Sequence, residues 1–177
     1  WADKAPLPES RAGAGSAVVD GKIYVVGGGD RAGDEGSQGR AAVAIYDSAR
    51  NQWHVGANML VPRQGVAVAT SGGNVIAMGG FSSKDVLDPS GVWRPGITNV
   101  VEVYIPGSDY WYRSSSLPTH LHQASAVTYQ GDIYVFGGLI DESSVSNQVY
   151  RYTEWNNEYR WDSPTQLPTS RWGHTGA

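Results

Sequence analysis

Three times along the chain an apolar segment runs into a pair of glycines: Ile23-Tyr24-Val25-Val26-Gly27-Gly28, Val75-Ile76-Ala77-Met78-Gly79-Gly80 and Ile133-Tyr134-Val135-Phe136-Gly137-Gly138. The leading glycines stand 52 and 58 residues apart. Self-similarity at that period marks a repeat architecture in which each unit buries its apolar face against its neighbours. Upstream of each pair lies another short apolar segment, Ser16-Ala17-Val18-Val19, Val66-Ala67-Val68-Ala69 and Ser125-Ala126-Val127-Thr128. The joints between the two segments are Asp20-Gly21, Ser71-Gly72-Gly73-Asn74 and Gln130-Gly131, which read as tight hairpins because glycine takes the positive φ of primed turns.

A third segment ending in Tyr follows, and then a Trp. Tyr46 precedes Trp53 and Tyr104 precedes Trp111 by 7 residues, and Tyr152 precedes Trp161 by 9, the excess being assigned to Asn156-Asn157. Each unit therefore reads as four short strands with one long connection in the middle, the pattern of radially repeated β-sheets.

With these elements in place the chain resembles the kelch-repeat family, whose pattern joins a Gly-Gly doublet to a later Tyr and Trp. The likeness runs over essentially the whole chain. It implies an all-β fold of kelch-type β-propeller blades: three complete four-stranded antiparallel blades, over about 11–57, 63–115 and 121–163, and the start of a fourth repeat at 164–177. In the family the glycines let the second strand end where a side chain would clash, and the Tyr and Trp pack between blades. The residues read by themselves agree, since glycine pairs end strands and large aromatics fill layers between sheets.

The segment before each first strand recurs as well, in Leu7-Pro8-Glu9-Ser10-Arg11-Ala12-Gly13, Val61-Pro62-Arg63-Gln64-Gly65, Leu117-Pro118-Thr119-His120 and Leu167-Pro168-Thr169-Ser170-Arg171-Trp172-Gly173. The last restores the first, 160 residues on. Trp1-Ala2-Asp3-Lys4 resembles the close of a preceding Trp strand. Such overhangs favour a piece of a longer array over two copies closing a ring, and open blade faces make self-association an expectation.

Composition narrows the partners. Hydrophobic residues make up 40% and aromatics 11% of 177 residues, enough for a core, and 13 Lys and Arg against 17 Asp and Glu leave a net charge of −4. That balance lacks the basic excess of a nucleic-acid binder. No apolar run reaches a membrane span, and no charged-then-apolar leader opens the sequence. There is no cysteine and no Asn-x-Ser/Thr sequon. The compartment stays open; few lysines and no cysteine sit comfortably in a bacterial extracytoplasmic protein.

In up-and-down blades the long connections share one face: Gly29 to Arg40, Phe81 to Thr98 and Leu139 to Asn147. Loops longer than hairpins require carry function on rigid scaffolds. This face would display Arg11, Arg63, Arg171, Asp30, Arg31, Asp34, Glu35, Lys84, Asp85, Asp88, Trp93, Arg94, Asp141 and Glu142. In the kelch family the same face commonly holds a partner peptide or small ligand. Arg11, Arg63 and Arg171 precede innermost strands at equivalent positions, with His120 and His122 replacing the Arg in the third unit. One reading is a cationic patch at the pore end that accepts carboxylates of a small polar ligand or acidic peptide. The other pairs each Arg with its own blade's carbonyls or a nearby carboxylate. The candidate binding residues are Arg11, Arg63, Arg171, Trp93, Arg94 and His122.

Other chemistry finds little support. His120-Leu121-His122 has a spacing seen in metal sites but no Cys or acid in its segment. Asp30, Asp34 and Glu35 lack the order of an EF-hand. Ser114-Ser115-Ser116 has no glycine-framed elbow, and no phosphate loop precedes a helix. The reading is a binding scaffold without catalytic residues, metal or cofactor. The alternative is part of a kelch-fold enzyme acting on sugars, epimerase-like or oxidase-like, with its catalytic residues in other blades; a Tyr-Cys oxidase cofactor has no Cys here.

Overall fold

The structure, a computed structural model, describes residues 2–30, 39–87, 93–155 and 158–176, with the side chains of 84–87, 93–95 and 155 outside the description. No helix occurs among the described residues. The first blade comprises β1 (Gly15–Val19), β2 (Lys22–Val26), β3 (Val43–Asp47) and β4 (Gln52–Gly56), hydrogen-bonded in that order. The second comprises β5 (Ala67–Ser71), β6 (Asn74–Met78), β9 (Val101–Ile105) and β10 (Tyr110–Arg113), and the third β11 (Ser125–Tyr129), β12 (Asp132–Phe136), β13 (Gln148–Trp155) and β14 (Glu158–Gln166). Every pairing is antiparallel.

The first two strands of each blade are joined by two residues in left-handed conformation. These are Asp20 and Gly21, Gly72 and Gly73, and Gln130 and Gly131, closed by the pairs Val19 with Lys22, Ser71 with Asn74 and Tyr129 with Asp132. Positive φ at both central positions is the turn whose twist matches a β-hairpin. The stretch from Phe81 differs from the loop expected there: β7 (Phe81–Leu87) and β8 (Trp93–Ile97) form a separate two-stranded ribbon inserted between β6 and β9. Asn156-Asn157 lie outside the described residues, while the β13–β14 ladder runs on to Trp155 opposite Glu158.

Among the innermost strands β5 adjoins both β1 and β11, and the blades stack face to face. Between the first and second blades lie Val19, Tyr24, Val26 and Val43 against Val75, Ala77, Tyr104 and Trp111. Between the second and third lie Ile76, Met78, Val101 and Val103 against Ile133, Val135, Tyr150 and Tyr152.

The glycine pairs act as latches between repeats. A Cβ on Gly27 would stand 2.6 Å from the Arg63 carbonyl oxygen, and one on Gly137 2.5 Å from that of Arg171. The second glycine then donates its N–H to the same carbonyl: Gly28 to Arg63 at 2.9 Å, Gly80 to Leu121 at 2.7 Å and Gly138 to Arg171 at 2.8 Å. Only a residue without a side chain permits both the close passage and the positive φ.

At the rim the Tyr and Trp form a clasp. Trp53, Trp111 and Trp161 each donate Nε1–H at 2.9 Å to a carbonyl of the strand or segment preceding their blade, those of Ala5, Ala57 and Ser115. Asn51 Oδ1 accepts from the Tyr46 hydroxyl and the Ala5 N–H, and Asp109 Oδ1 accepts in the same way from Tyr104 and Ala57. In the third blade the Tyr152 hydroxyl bonds Ser114 Oγ instead.

Candidate recognition site at the axial end of the long loops

The equivalent carbonyls of Arg63, Leu121 and Arg171 fix how the repeats align, and they change the expectation for the third unit. Leu121, not a histidine, occupies the arginine position, and His122 matches Ala12, Gln64 and Trp172. His122 pairs with Leu139 as Ala12 does with Gly29 and Gln64 with Phe81.

The arginines do not converge. Arg11 is 4% exposed, and its Nη1 donates to the carbonyls of Gly27 at 3.3 Å and Ala42 at 3.1 Å. Arg63 is 0% exposed and makes the equivalent bonds to Gly79 at 2.8 Å and Val100 at 2.7 Å. It also donates at 2.6 Å to Glu102, itself 0% exposed, whose other oxygen accepts the Leu60 N–H. Burial disfavours the Arg63 charge and Glu102 offsets that cost. These two side chains brace their own blades, so neither is a surface anchor. Arg171 stands at the same position of the fourth repeat, exposed, with Nη2 donating to the Thr169 hydroxyl at 2.7 Å.

Other expected groups are spread over the face. Arg40 bridges Glu9 and Asp30. Asp141 accepts from the N–H groups of Ser143 and Ser144, which lower its carboxyl to about 2. Trp93 and Arg94 lie on β8, opposite Leu87 and Val86, and their side chains are outside the described residues. Arg31, Asp34, Glu35 and Asp88 lie outside the described residues altogether.

What the fold does bring together is a pocket of about 340 Å³ where the innermost strands begin, lined by 13–14, 64–66, 122–124 and 173–174. Its wall is a chain of backbone hydrogen bonds across repeats: Gly65 N–H to the Gly13 carbonyl at 2.7 Å, Gln123 to Gly65 at 2.8 Å and Gly173 to Gln123 at 3.1 Å. All four residues are left-handed, with φ of 62°, 60°, 55° and 62°, and Gln123 alone among them carries a side chain there. Its Nε2 stands 3.5 Å from His122 Nε2.

The His122 ring lies over Gly65, where any Cβ would strike it, and edge-on to Phe81, the first residue of the inserted ribbon. Burial keeps His122 toward its neutral form. His174 packs on Phe136, centroids 5.4 Å apart, with both ring nitrogens shut from solvent and without a hydrogen bond. Burial and then the Arg171 charge lower it, the Phe136 backbone pulling the other way. Among the described residues no group of three or more His, Asp or Glu is placed to hold a metal. Sequence reading named His122 but missed Gln123, His174 and Gln64; matching the Arg-x-Gly triplets of the other repeats to Leu121-His122-Gln123 is the signal that finds them.

Three face-packed four-stranded sheets around adjoining inner strands define a set of β-propeller blades. The Kelch motif matches residues 10–60 and 120–160, and the chain belongs to the kelch-repeat family, with an all-β fold. It is 31% identical over 138 residues to beta-scruin of Limulus polyphemus, covering 78% of this chain and 14% of that protein. Kelch-like protein 35 of Mus musculus is 24% identical over 173 residues, covering 98% of this chain and 27% of the relative. The chain thus spans a quarter or so, or less, of the curated relatives it matches. The solved structure of YjhT superposes with a TM-score of 0.79 at 17% identity, over 97% of this chain and 57% of the other, a likeness of fold.

Proposed function

We propose that the chain presents the axial end of its long-loop face to a segment of a partner protein, one side chain of which enters the pocket at His122, Gln123 and His174. The observation that carries this reading is the pocket itself. It is the place where equivalent positions of successive repeats meet and where one repeat keeps a side chain at a left-handed position. Concave sites with a few convergent polar groups are where ligands bind, and a strained residue maintained by its surroundings is a feature of such sites. The β7–β8 ribbon leaves the ladder at Phe81 beside His122, and exposed Arg171 stands at the rim.

The test is selection of peptides from a displayed random library on the 177-residue chain, followed by binding to variants. Peptides that lose affinity for a His122→Ala, Gln123→Gly double variant but keep it for Tyr110→Ala, an exposed change on the short-turn side, support the reading. Peptides indifferent to the double variant contradict it.

Self-association is a second reading, favoured by one observation. Ile23 is exposed on the outward face of the first blade, where its equivalents Val75 and Ile133 are fully buried, and Val18 and Val55 of that face are exposed beside it. Light scattering at several concentrations would show a dimer if copies cover these faces, and a monomer of 19.0 kDa throughout if they do not.

A further inference from the structure

The pocket's lining contains no Lys, Arg, Asp or Glu. Of the three arginines that flank it at equivalent positions, Arg11 and Arg63 spend donors on carbonyls inside their blades, and Arg171 stands at the rim with Nη2 on the Thr169 hydroxyl. The polar side chains among its lining residues belong to His122, to Gln123, to His174, whose ring nitrogens are closed off, and to buried Gln64. A glutamine amide has donors and an acceptor, and a neutral imidazole has one of each. The Gln123 amide is poorly used within the protein, since 3.5 Å to His122 is long for a hydrogen bond. Yet that side chain sits at φ 55°, a left-handed conformation that disfavours a non-glycine residue, while the other three repeats have glycine at the same place.

We propose that this pocket selects an uncharged carboxamide over a carboxylate or an ammonium group. The inference rests on the pocket being the recognition site, as proposed above, and adds the chemistry of what enters it. A carboxamide can donate and accept at once, matching the Gln123 amide in a paired arrangement and leaving the His122 imidazole to complete its hydrogen bonds. A carboxylate only accepts, so it leaves the amide carbonyl and the His122 lone pair facing negative charge, with no cation among the lining residues to compensate. An ammonium only donates and leaves the donors unpaired. Leaving buried polar groups unpaired in this way is what makes such sites discriminating. The carboxamide can come from an Asn or Gln side chain or from an exposed backbone peptide group of the partner.

The test uses the 177-residue chain at pH 7.5, following the Cε1–H resonances of His122 and His174 by NMR during titration with four probes. Propionamide stands for the side-chain amide, N-methylacetamide for the backbone group, and propionate and propylammonium for the charged alternatives. Saturable shifts of both resonances with either amide, and none with the charged probes at equal concentration, are expected. A response to propionamide alone assigns a side-chain amide, and one to N-methylacetamide a backbone group. The variant Gln123→Gly, which places at this position the residue found in the other repeats, should bind the amide about tenfold more weakly for the loss of one hydrogen-bonding partner. A stronger response to propionate or propylammonium overturns the amide assignment while leaving the pocket as a binding site. Silence with all four probes overturns both, and undiminished amide binding by Gln123→Gly overturns the role given to Gln123.

Discussion

Arg63 Nη2 donates to Glu102 Oε2 at 2.6 Å, with both side chains wholly buried between the first and second blades. The first blade has Arg11 at the equivalent place but Ala44 opposite, and the third has Leu121 there. Removing one member leaves an uncompensated buried charge, so Arg63→Leu should cost about 3–5 kcal/mol. The double variant Arg63→Leu, Glu102→Ala combines what the other blades already contain and should recover most of that loss. Urea denaturation of the four species of the cycle measures it; equal losses in the single and double variants would contradict the account.

The latch predicts that glycines are unequal. Gly27 has φ 67° and a carbonyl where its Cβ would go, whereas Gly107 has ordinary φ and open space. Gly27→Ala is expected to destabilise by more than about 2 kcal/mol through strain and displacement of the Arg63 carbonyl. Gly107→Ala should lie within about 0.5 kcal/mol of the parent. Thermal melts of the two variants decide the matter.

Asp109 is left-handed at φ 49° and accepts from both Tyr104 and Ala57 at 2.6 Å. Asp109→Ala orphans both donors and should cost about 2–3 kcal/mol. Asp109→Asn installs the residue that does the same work at Asn51, and should restore most of the loss by the same denaturation measurement.

His122 and His174 ordinarily titrate near 6.5 and are held lower in the fold, both mainly by burial. Phe81, Gly65 and Gln123 surround the first without charge; Phe136 and the Arg171 charge act on the second. The unfolded chain therefore binds protons more readily than the fold. The stability this contributes is complete above 6.5 and is lost as pH falls below it toward the folded values. The melting midpoint should be level from pH 8 to 7 and decline on acidification, with a shallower slope in His122→Gln. A separate decline, starting below about 4 and continuing toward 2, belongs to Asp141, whose carboxyl is lowered to about 2. A midpoint that rises between pH 7 and 5 would contradict the histidine assignment.

The repeat, the hairpins and the Tyr and Trp clasp were legible because each rests on local chemistry that recurs: glycine where φ is positive, aromatics where sheets stack. The ribbon at Phe81 was not, since a single copy has no period to reveal it. The site was misread for a reason of register. Pro118 precedes Leu121 by three residues, as Pro8 and Pro168 precede their arginines, so the proline register puts Leu121 in the arginine place; reading His120 and His122 as the replacements set that register aside. Nor does sequence say which way an arginine points. The carbonyls of Gly27 and Ala42, or of Gly79 and Val100, come together only once β2 ends beside β3, and they turn Arg11 and Arg63 inward. His174 becomes part of the pocket only through Phe136, far away in sequence.

The claim that recognition belongs to the axial end of the long-loop face is tested most directly by hydrogen–deuterium exchange of the chain with and without a selected peptide. The account predicts protection at 63–66, 81–97, 122–124 and 171–174, with the blade faces around Val18, Ile23 and Tyr129 unchanged. Protection confined to those blade faces, with the pocket segments exchanging as in the free chain, would contradict it.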